Sequence, residues 1–264
     1  MIKLIACDLD GTALNSQKVL DEGLKEILPH LESLGVGLTF ITGRGEGIMQ
    51  QYVDEINLQL PYVTDNGGNI YQQHHCLATE EMPCEAVNLL AKTLFDRGIP
   101  FTAYGAKSIH AFKNKESAFF TERTSYYDPY KIMYQDGIDL SNEKVFKITS
   151  DFDLHLEYLD EVKDIVSQNC AHIDFLNAEG NVYCANSQSA NKGKALVKLC
   201  RMLDIQPEEV MAFGDNGTDM PMLKEAGISV AVGNSNARIK DSVDYVCLSN
   251  DEQGVSKFLK EYFQ

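Results

Sequence analysis

Two aspartates separated by one leucine, Asp8 and Asp10, end the apolar run that starts at Ile2 and lead directly into Gly11-Thr12. On extended backbone, residues two apart point the same way, which puts the two carboxylates roughly 6 to 7 Å apart with a place for a cation between them. Three other stretches carry matching chemistry. Thr42-Gly43-Arg44-Gly45 follows the apolar run Val36 to Ile41, and offers a hydroxyl beside glycines whose N–H groups can approach an anion closely. Lys192 stands in the first turn of a helix-patterned segment. Asp215 and Asp219 lie in Gly214-Asp215-Asn216-Gly217-Thr218-Asp219, immediately after the apolar run Val210-Met211-Ala212-Phe213. Taken singly, each has a plain structural reading: acidic pairs cap helices, a helix-start lysine is solvated, and Thr42 closes a strand. The common position of three of them, Asp8/Asp10, Thr42/Gly43 and Asp215/Asp219, at the ends of apolar strands is what points to chemistry.

Short apolar runs bounded by turns are the mark of strands buried on both faces in a parallel sheet. Between the first two runs, Leu20, Leu24, Ile27, Leu28, Leu31 and Leu34 form a helical stripe that Pro29 should kink or divide and Gly35 ends. Glu46 to Ile56 reads as a helix and Pro61 to Thr64 as a third strand, with Asp65-Asn66-Gly67-Gly68-Asn69 turning into Ile70-Tyr71 as a hairpin. This alternation predicts a doubly wound, Rossmann-like α/β core with a mostly parallel sheet. The carboxyl ends of such strands converge on one rim, where open α/β sheets take their ligands. From Pro83 the texture changes. Helix Cys84 to Asp96, runs Phe101 to Tyr104 and Ile109 to Phe112, helix Ser117 to Tyr127, strand Val145 to Thr149, helix Leu154 to Gln168 and strands His172 to Leu176 and Asn181 to Ala185 suggest an antiparallel α+β layer. The first texture returns with helix Asn191 to Leu203. The expected division is a core of 1–82 and 187–264 with an inserted α+β domain of 83–186.

Composition narrows the function classes. Of 264 residues, 44% are hydrophobic and 23% charged, and the mean hydropathy of -0.22 suits a globular chain. A formal charge of -16 argues against nucleic acid or an anionic membrane as partner. An acidic chain that binds phosphate also needs local positive charge at the site. Asp10 interrupts the first apolar run before a signal-peptide core forms, and no run reaches membrane-spanning length, so a cytoplasmic location is expected. Seven cysteines without Cys-x-x-Cys spacing suggest neither a disulfide framework nor a zinc site. The glycines after Thr42 do not fit the dinucleotide fingerprint, because Ile48 stands where it needs glycine.

Four patterns in order, Asp8-Leu9-Asp10-Gly11-Thr12, Ile41-Thr42-Gly43-Arg44, Asn191-Lys192-Gly193-Lys194 and Gly214-Asp215-Asn216-Gly217-Thr218-Asp219, resemble the motifs of the haloacid dehalogenase superfamily. The match is to the Cof-type phosphatase branch, whose large type IIB cap is inserted between the second and third motifs. It extends to Asp65-Asn66-Gly67-Gly68, Val230-Ala231-Val232-Gly233-Asn234 and Ser249 to Val255, and in the cap to the texture around Phe146-Lys147-Ile148.

The resemblance implies a Mg²⁺-dependent phosphatase of small phosphorylated metabolites such as sugar phosphates or phosphorylated cofactors. Asp8 would be the nucleophile, forming an aspartyl-phosphate, and Asp10 the general acid and base, its pKa pushed up by Asp8. Mg²⁺ would be held by Asp8, the Asp10 carbonyl and Asp215; Thr42, the Gly43 N–H and Lys192 would clamp the phosphoryl oxygens; Asp219 would orient Lys192 or a metal-bound water. Thr218 stands where the branch usually has Asn and is assigned to substrate binding with a shorter reach. Arg44 is left without a catalytic role. His110, Lys113, Lys115 and Arg123 are candidates for contacting the leaving group. A phosphomutase with the same core and a phosphate-binding protein without turnover are the alternatives. A monomer or weak homodimer is expected.

Overall fold

The computed structural model describes residues 1–105, 109–112, 131–134 and 137–264. The helix expected over Ser117 to Tyr127, and Lys113, Lys115 and Arg123, lie outside the described residues. The chain divides into two compact units, Met1–Thr79 with Asn191–Gln264, and Glu80–Ala190. The second unit is a few residues wider at each end than the stretch whose composition differs.

In the first unit, β1 (Leu4–Cys7) lies between β2 (Gly37–Phe40) and β12 (Val210–Gly214), followed outward by β13 (Ile228–Ala231) and β14 (Tyr245–Val246), all parallel. Register sets Cys7 beside both Phe40 and Phe213. The three central strands therefore end level, and the residues after them share one rim. The chain leaves β1 toward β2 on one side, and the later strands continue on the other. That reversal is where a doubly wound sheet opens a crevice at its carboxyl ends.

Both faces of the sheet are covered, which is why its strands read as unbroken apolar runs. Leu4, Ala6, Val210 and Ala212 pack under α5 (Lys192–Leu203) and α6 (Met220–Glu225) through Leu196, Leu199, Met222 and Leu223. Ile5, Phe40 and Phe213 alternate to the opposite face, where α1 (Glu22–Ser33) buries Leu24, Ile27 and Leu31 and α8 (Gly254–Tyr262) sets Phe258 edge-on to Phe213. Asp21 joins those two helices. Its Oδ1 caps α1 at the Gly23 N–H (2.9 Å) and accepts from Ser256 Oγ (2.8 Å), and its Oδ2 accepts the Ser256 N–H (3.0 Å).

Two expectations are corrected here. Pro29 does not divide α1, which runs through it unbroken; the buried stripe on either side holds the helix together despite the lost hydrogen bond. The third strand, β3 (Tyr62–Thr64), does not join the five-stranded sheet. It forms an antiparallel meander with β4 (Asn69–Gln72) and β5 (His75–Thr79), and reaches β2 through one bridge, Ile41 to Val63. The strand β5 left no apolar alternation in the sequence because it is largely exposed. Among the remaining elements of this unit, α2 (Glu46–Glu55) falls where the pattern from Glu46 to Ile56 puts it, and a short helix, α7 (Ala237–Lys240), follows β13.

The second unit has a six-stranded sheet in the order β10 (Ile173–Glu179), β11 (Val182–Ser187), β9 (Val145–Asp151), β6 (Phe101–Gly105), β7 (Ile109–Phe112) and β8 (Lys131–Tyr134), antiparallel except for the last pair. Helices α3 (Cys84–Asp96) and α4 (Leu159–Asn169) cover the face carrying Phe101, Ala103, Ile148 and Ala185. The opposite face carries Thr102, Tyr104, Lys147, Thr149 and Asn186, as the pairing register requires. The Lys147 ammonium there lies 3.9 Å from the centre of the Tyr104 ring. His110 is in register with Ala103, buried, with Nε2 3.4 Å from Glu143 Oε2. No helix among the described residues is long and apolar enough to cross a membrane.

Candidate active site

The ladder between β1 and β12 continues one residue further through the Asp8 N–H, which donates to the Phe213 carbonyl at 3.0 Å. The chain then turns. Thr12 N–H returns to Leu9, and Ala13 N–H to Asp8. This turn overrides the extended geometry read from the sequence, and sends the two aspartates to different partners.

Asp8 is buried, and its Oδ1 accepts from Lys192 Nζ at 2.7 Å. Lys192 begins α5, where Asn191 caps the helix by accepting the Lys194 N–H (2.9 Å). The same ammonium reaches Asp219 Oδ1 at 2.5 Å, and only 2% of the lysine is exposed. Asp219 Oδ2 accepts the N–H groups of Asp215 (3.0 Å) and Asn216 (3.1 Å), so this carboxylate shapes the turn that carries Asp215. Asp215 accepts from Thr12 Oγ1 at 3.2 Å, and the place a Cβ would take at Gly11 is 2.5 Å from Asp215 Oδ2. Glycine is needed there twice over, since its φ is also +77°.

Carboxylate oxygens of Asp8, Asp215 and Asp219 all lie within 4.8 Å of one another. Burial, and then the charge of Asp219, pushes the Asp8 carboxyl up from its ordinary value. Asp215 is raised by burial and by the charges of Asp219 and Asp8. Burial pulls the Lys192 ammonium down, but Asp219 and Asp8 outweigh it and hold the group charged, above the usual lysine range. Three carboxylates against one ammonium leave negative charge uncompensated, and an all-oxygen donor set suits a hard divalent cation such as Mg²⁺. With Asp219 engaged on both oxygens, Asp8 and Asp215 are the pair that could hold such an ion.

Asp10 turns the other way. Arg44 grips it with both arms of the guanidinium, Nε to Oδ2 at 2.6 Å and Nη2 to Oδ1 at 2.7 Å, and Lys18 Nζ adds a contact to Oδ1 at 2.8 Å. Tyr52 closes the ring, accepting from Arg44 Nη1 (2.9 Å) and donating to the Lys18 carbonyl (3.1 Å). Burial alone would raise the Asp10 carboxyl; hydrogen bonds and charge from Arg44, then Lys18, hold it well below the usual carboxylate range. The expected upward push by Asp8 is thus overturned, and the carboxylate of Asp10 is not part of the acidic cluster.

Thr42 is fully buried, with its N–H on the Val63 carbonyl (3.0 Å) and its Oγ1 accepting the Arg44 N–H (3.2 Å). Gly43 follows at the rim. Thr218 folds back on its own turn: its hydroxyl (2.7 Å) and its N–H (2.9 Å) both donate to Asn216 Oδ1, while Asn216 Nδ2 donates to Asp215 at 3.2 Å. It thus acts on Asp215 through Asn216. Two late segments hold the Asp8–Leu14 turn from outside. Asn234 donates to the Gly11 carbonyl (2.8 Å), and Asn250 donates to the Leu14 carbonyl (2.9 Å). Sequence reasoning passed over Lys18, Tyr52 and Asn216. Arg44 carried a signal, being next to Thr42-Gly43, but its partner was out of reach.

The profile of the haloacid dehalogenase-like hydrolases matches residues 5–259. A 5-amino-6-(5-phospho-D-ribitylamino)uracil phosphatase of Bacillus subtilis is 26% identical over 99% of this chain and 96% of its own. The crystal structure of SMU.1108c from Streptococcus mutans superposes with a TM-score of 0.86 at 24% identity, covering 99% of both chains. A subclass IIB sugar phosphatase of the superfamily superposes with a TM-score of 0.82 at 22% identity, over 98% of both chains. These two likenesses are of fold. The chain belongs to the haloacid dehalogenase-like hydrolases, with its second unit, Glu80–Ala190, inserted into the first.

Proposed function

We propose that this chain is a Mg²⁺-dependent phosphatase of small phosphorylated metabolites, working through a phosphoryl group carried on Asp8. The observation that carries the reading is the buried Lys192 ammonium shared by Asp8 and Asp219, with Asp215 in the same acidic cluster. Bound between Asp8 and Asp215, Mg²⁺ would neutralise the repulsion between carboxylates and phosphate.

In the first half of the reaction, an Asp8 oxygen attacks phosphorus, the bond from phosphorus to the ester oxygen breaks, and that oxygen takes a proton from Asp10. In the second half, water attacks phosphorus, Asp10 takes its proton, and the bond to Asp8 breaks to release phosphate. Arg44 and Lys18 keep Asp10 ionised as it stands here, which prepares it for the second half. To protonate the leaving group, it must take up a proton while Arg44 still aims it. Thr42, the Gly43 N–H and Lys192 hold phosphoryl oxygens while charge shifts among them.

Substrate choice falls to the second unit, whose sheet face opposite α3 and α4 bears Thr102, Tyr104, Lys147, Thr149 and Asn186. The phosphatase named for the ribitylaminouracil phosphate and the one named for sugars motivate a panel of phosphorylated sugars and sugar-linked heterocycles. Purified protein with Mg²⁺ is expected to release phosphate from p-nitrophenyl phosphate and from members of that panel, and Asp8→Asn to remove that release while circular dichroism stays native. Full activity in Asp8→Asn would end the reading; conversion of a hexose phosphate to an isomer without free phosphate would favour a phosphomutase.

A further inference from the structure

We infer that Asn66 is a positioning residue for the phosphate loop: the Asp65-Asn66-Gly67 turn fixes the Thr42–Gly43 peptide plane and backs onto the residue before Lys192. The inference deepens the proposed function, since it rests on Gly43 and Lys192 as phosphate donors. Three successive residues of this turn have left-handed backbone, with φ of 53°, 58° and 106° for Asp65, Asn66 and Gly67. Non-glycine residues adopt that region singly and at a cost, with Asn and Asp the most tolerant. A run of three, buried, needs to be held.

The holding bonds show what the turn does. Asp65 N–H donates to the Arg44 carbonyl and Asn66 N–H to the Thr42 carbonyl, each at 2.9 Å. Asp65 Oδ2 accepts from Thr64 Oγ1 and Asn69 Nδ2, also at 2.9 Å. The Thr42–Gly43 peptide is trans, so its carbonyl and N–H point opposite ways. Pinning the Thr42 carbonyl to Asn66 therefore turns the Gly43 N–H away from Asn66. The Thr42 N–H, bonded to Val63, fixes the preceding peptide.

The Asn66 side chain completes the fit from one side and Gly67 from the other. A Cβ on Gly43 would come within 2.8 Å of Asn66 Oδ1. A Cβ on Gly67 would meet the Asn191 carbonyl oxygen at 2.8 Å and its carbon at 2.9 Å. Asn191 is the cap of the helix that begins with Lys192. One turn thus sets the spacing between the loop that offers Gly43 and the helix that offers Lys192. The left-handed backbone of residue 66 keeps the loop in the binding arrangement, with its amide standing against Gly43.

Three variants test this: Asn66→Ala, which dislikes left-handed backbone, Asn66→Ser, which keeps a polar side chain but not the preference, and Asn66→Gly, which keeps the backbone and drops the side chain. Orthophosphate binding is measured by calorimetry with Mg²⁺, and KM and kcat with p-nitrophenyl phosphate. Ala and Ser are expected to weaken orthophosphate and raise KM together by about tenfold, as the competent loop becomes a minor population, with kcat changed less than about twofold. Gly is expected to lose clearly less of both than Ala and Ser. Equal loss in Gly and Ala would overturn the inference, as would no change in Ala and Ser; Ser reads the same point should Ala not fold. A wild type that turns over while Ala and Ser bind normally defeats this inference alone. A wild type without turnover, whose orthophosphate binding still follows the Ala, Ser and Gly order, defeats the phosphatase reading alone.

Discussion

Arg44 holds the general acid and base of the proposed reaction by two parallel charge-assisted bonds, a geometry lysine cannot reproduce. Removing the guanidinium leaves Asp10 on Lys18 alone and free to swing, so its aim at the ester oxygen suffers more than phosphate binding does. Arg44→Ala is expected to lower kcat on alkyl phosphates by about 10²-fold, the usual worth of positioned acid–base catalysis, and on p-nitrophenyl phosphate, whose leaving group needs little protonation, by much less. Arg44→Lys should fall near Ala rather than wild type. Steady-state kinetics on the two ester types reads the difference, and equal losses on both would show that Arg44 serves binding instead. At this scale the sequence singled out groups whose neighbours in the chain mark them: Asp8, Thr42, Asp215 and Asp219 follow apolar runs, and Lys192 stands in the first turn of a helix-patterned segment. It did not disclose partners. The grip of Arg44 on Asp10, the return of the Thr218 hydroxyl to Asn216, and Tyr52 behind Arg44 depend on how turns fold back, and spacing alone does not encode that.

Elements carry the next set of consequences. Asp21 is a buried carboxylate that caps α1 and takes both the N–H and the hydroxyl of Ser256 in α8, so its loss frees a cap and strands donors inside the protein. Asp21→Ala is expected to lower unfolding free energy by about 2 to 3 kcal/mol, with the urea midpoint as the measure and Ser256→Ala as the milder companion. A second tie is pH-dependent. His74, at the turn between β4 and β5, has Nδ1 2.9 Å from Glu46 and Nε2 3.0 Å from Asp54, both on α2. Hydrogen bonds to Glu46 and Asp54 raise its pKa. A raised histidine stabilises the fold fully below its ordinary value of about 6.5, and the contribution fades as pH rises through the higher folded value. The histidine ring signals followed by NMR should therefore titrate above that ordinary value, and His74→Gln should flatten stability across that upper window. These ties explain which elements were legible. Helices with a buried stripe, α1 and α5, announce themselves by period; β5 has no buried face to leave a pattern, and β3 looks like another core strand because it is equally apolar, although it pairs with β4 instead.

For the whole molecule, the governing fact is that a chain of net charge -16 folds so that three of its carboxylates meet at the centre of its parallel sheet. Their repulsion is a standing cost of the fold, offset in part by Lys192, and it sits where β1 and β12 separate. A divalent cation bound between Asp8 and Asp215 would relieve that repulsion and bind the folded chain only, so metal and folding are linked. At free Mg²⁺ about a hundredfold above its dissociation constant, linkage supplies about 2.7 kcal/mol, which for a chain of this size raises Tm by about 5 to 10 °C. Differential scanning calorimetry with Mg²⁺, against the same protein in chelator, reads this without any substrate. Asp215→Asn removes one ligand and one of the repelling charges. It should therefore melt no lower than the wild type in chelator and lose most of the Mg²⁺ shift, whereas a surface effect of the salt would raise both proteins alike. A wild-type Tm unmoved by Mg²⁺ would mean that the three carboxylates are balanced by some other charge, and that the rim of this sheet is not a metal site.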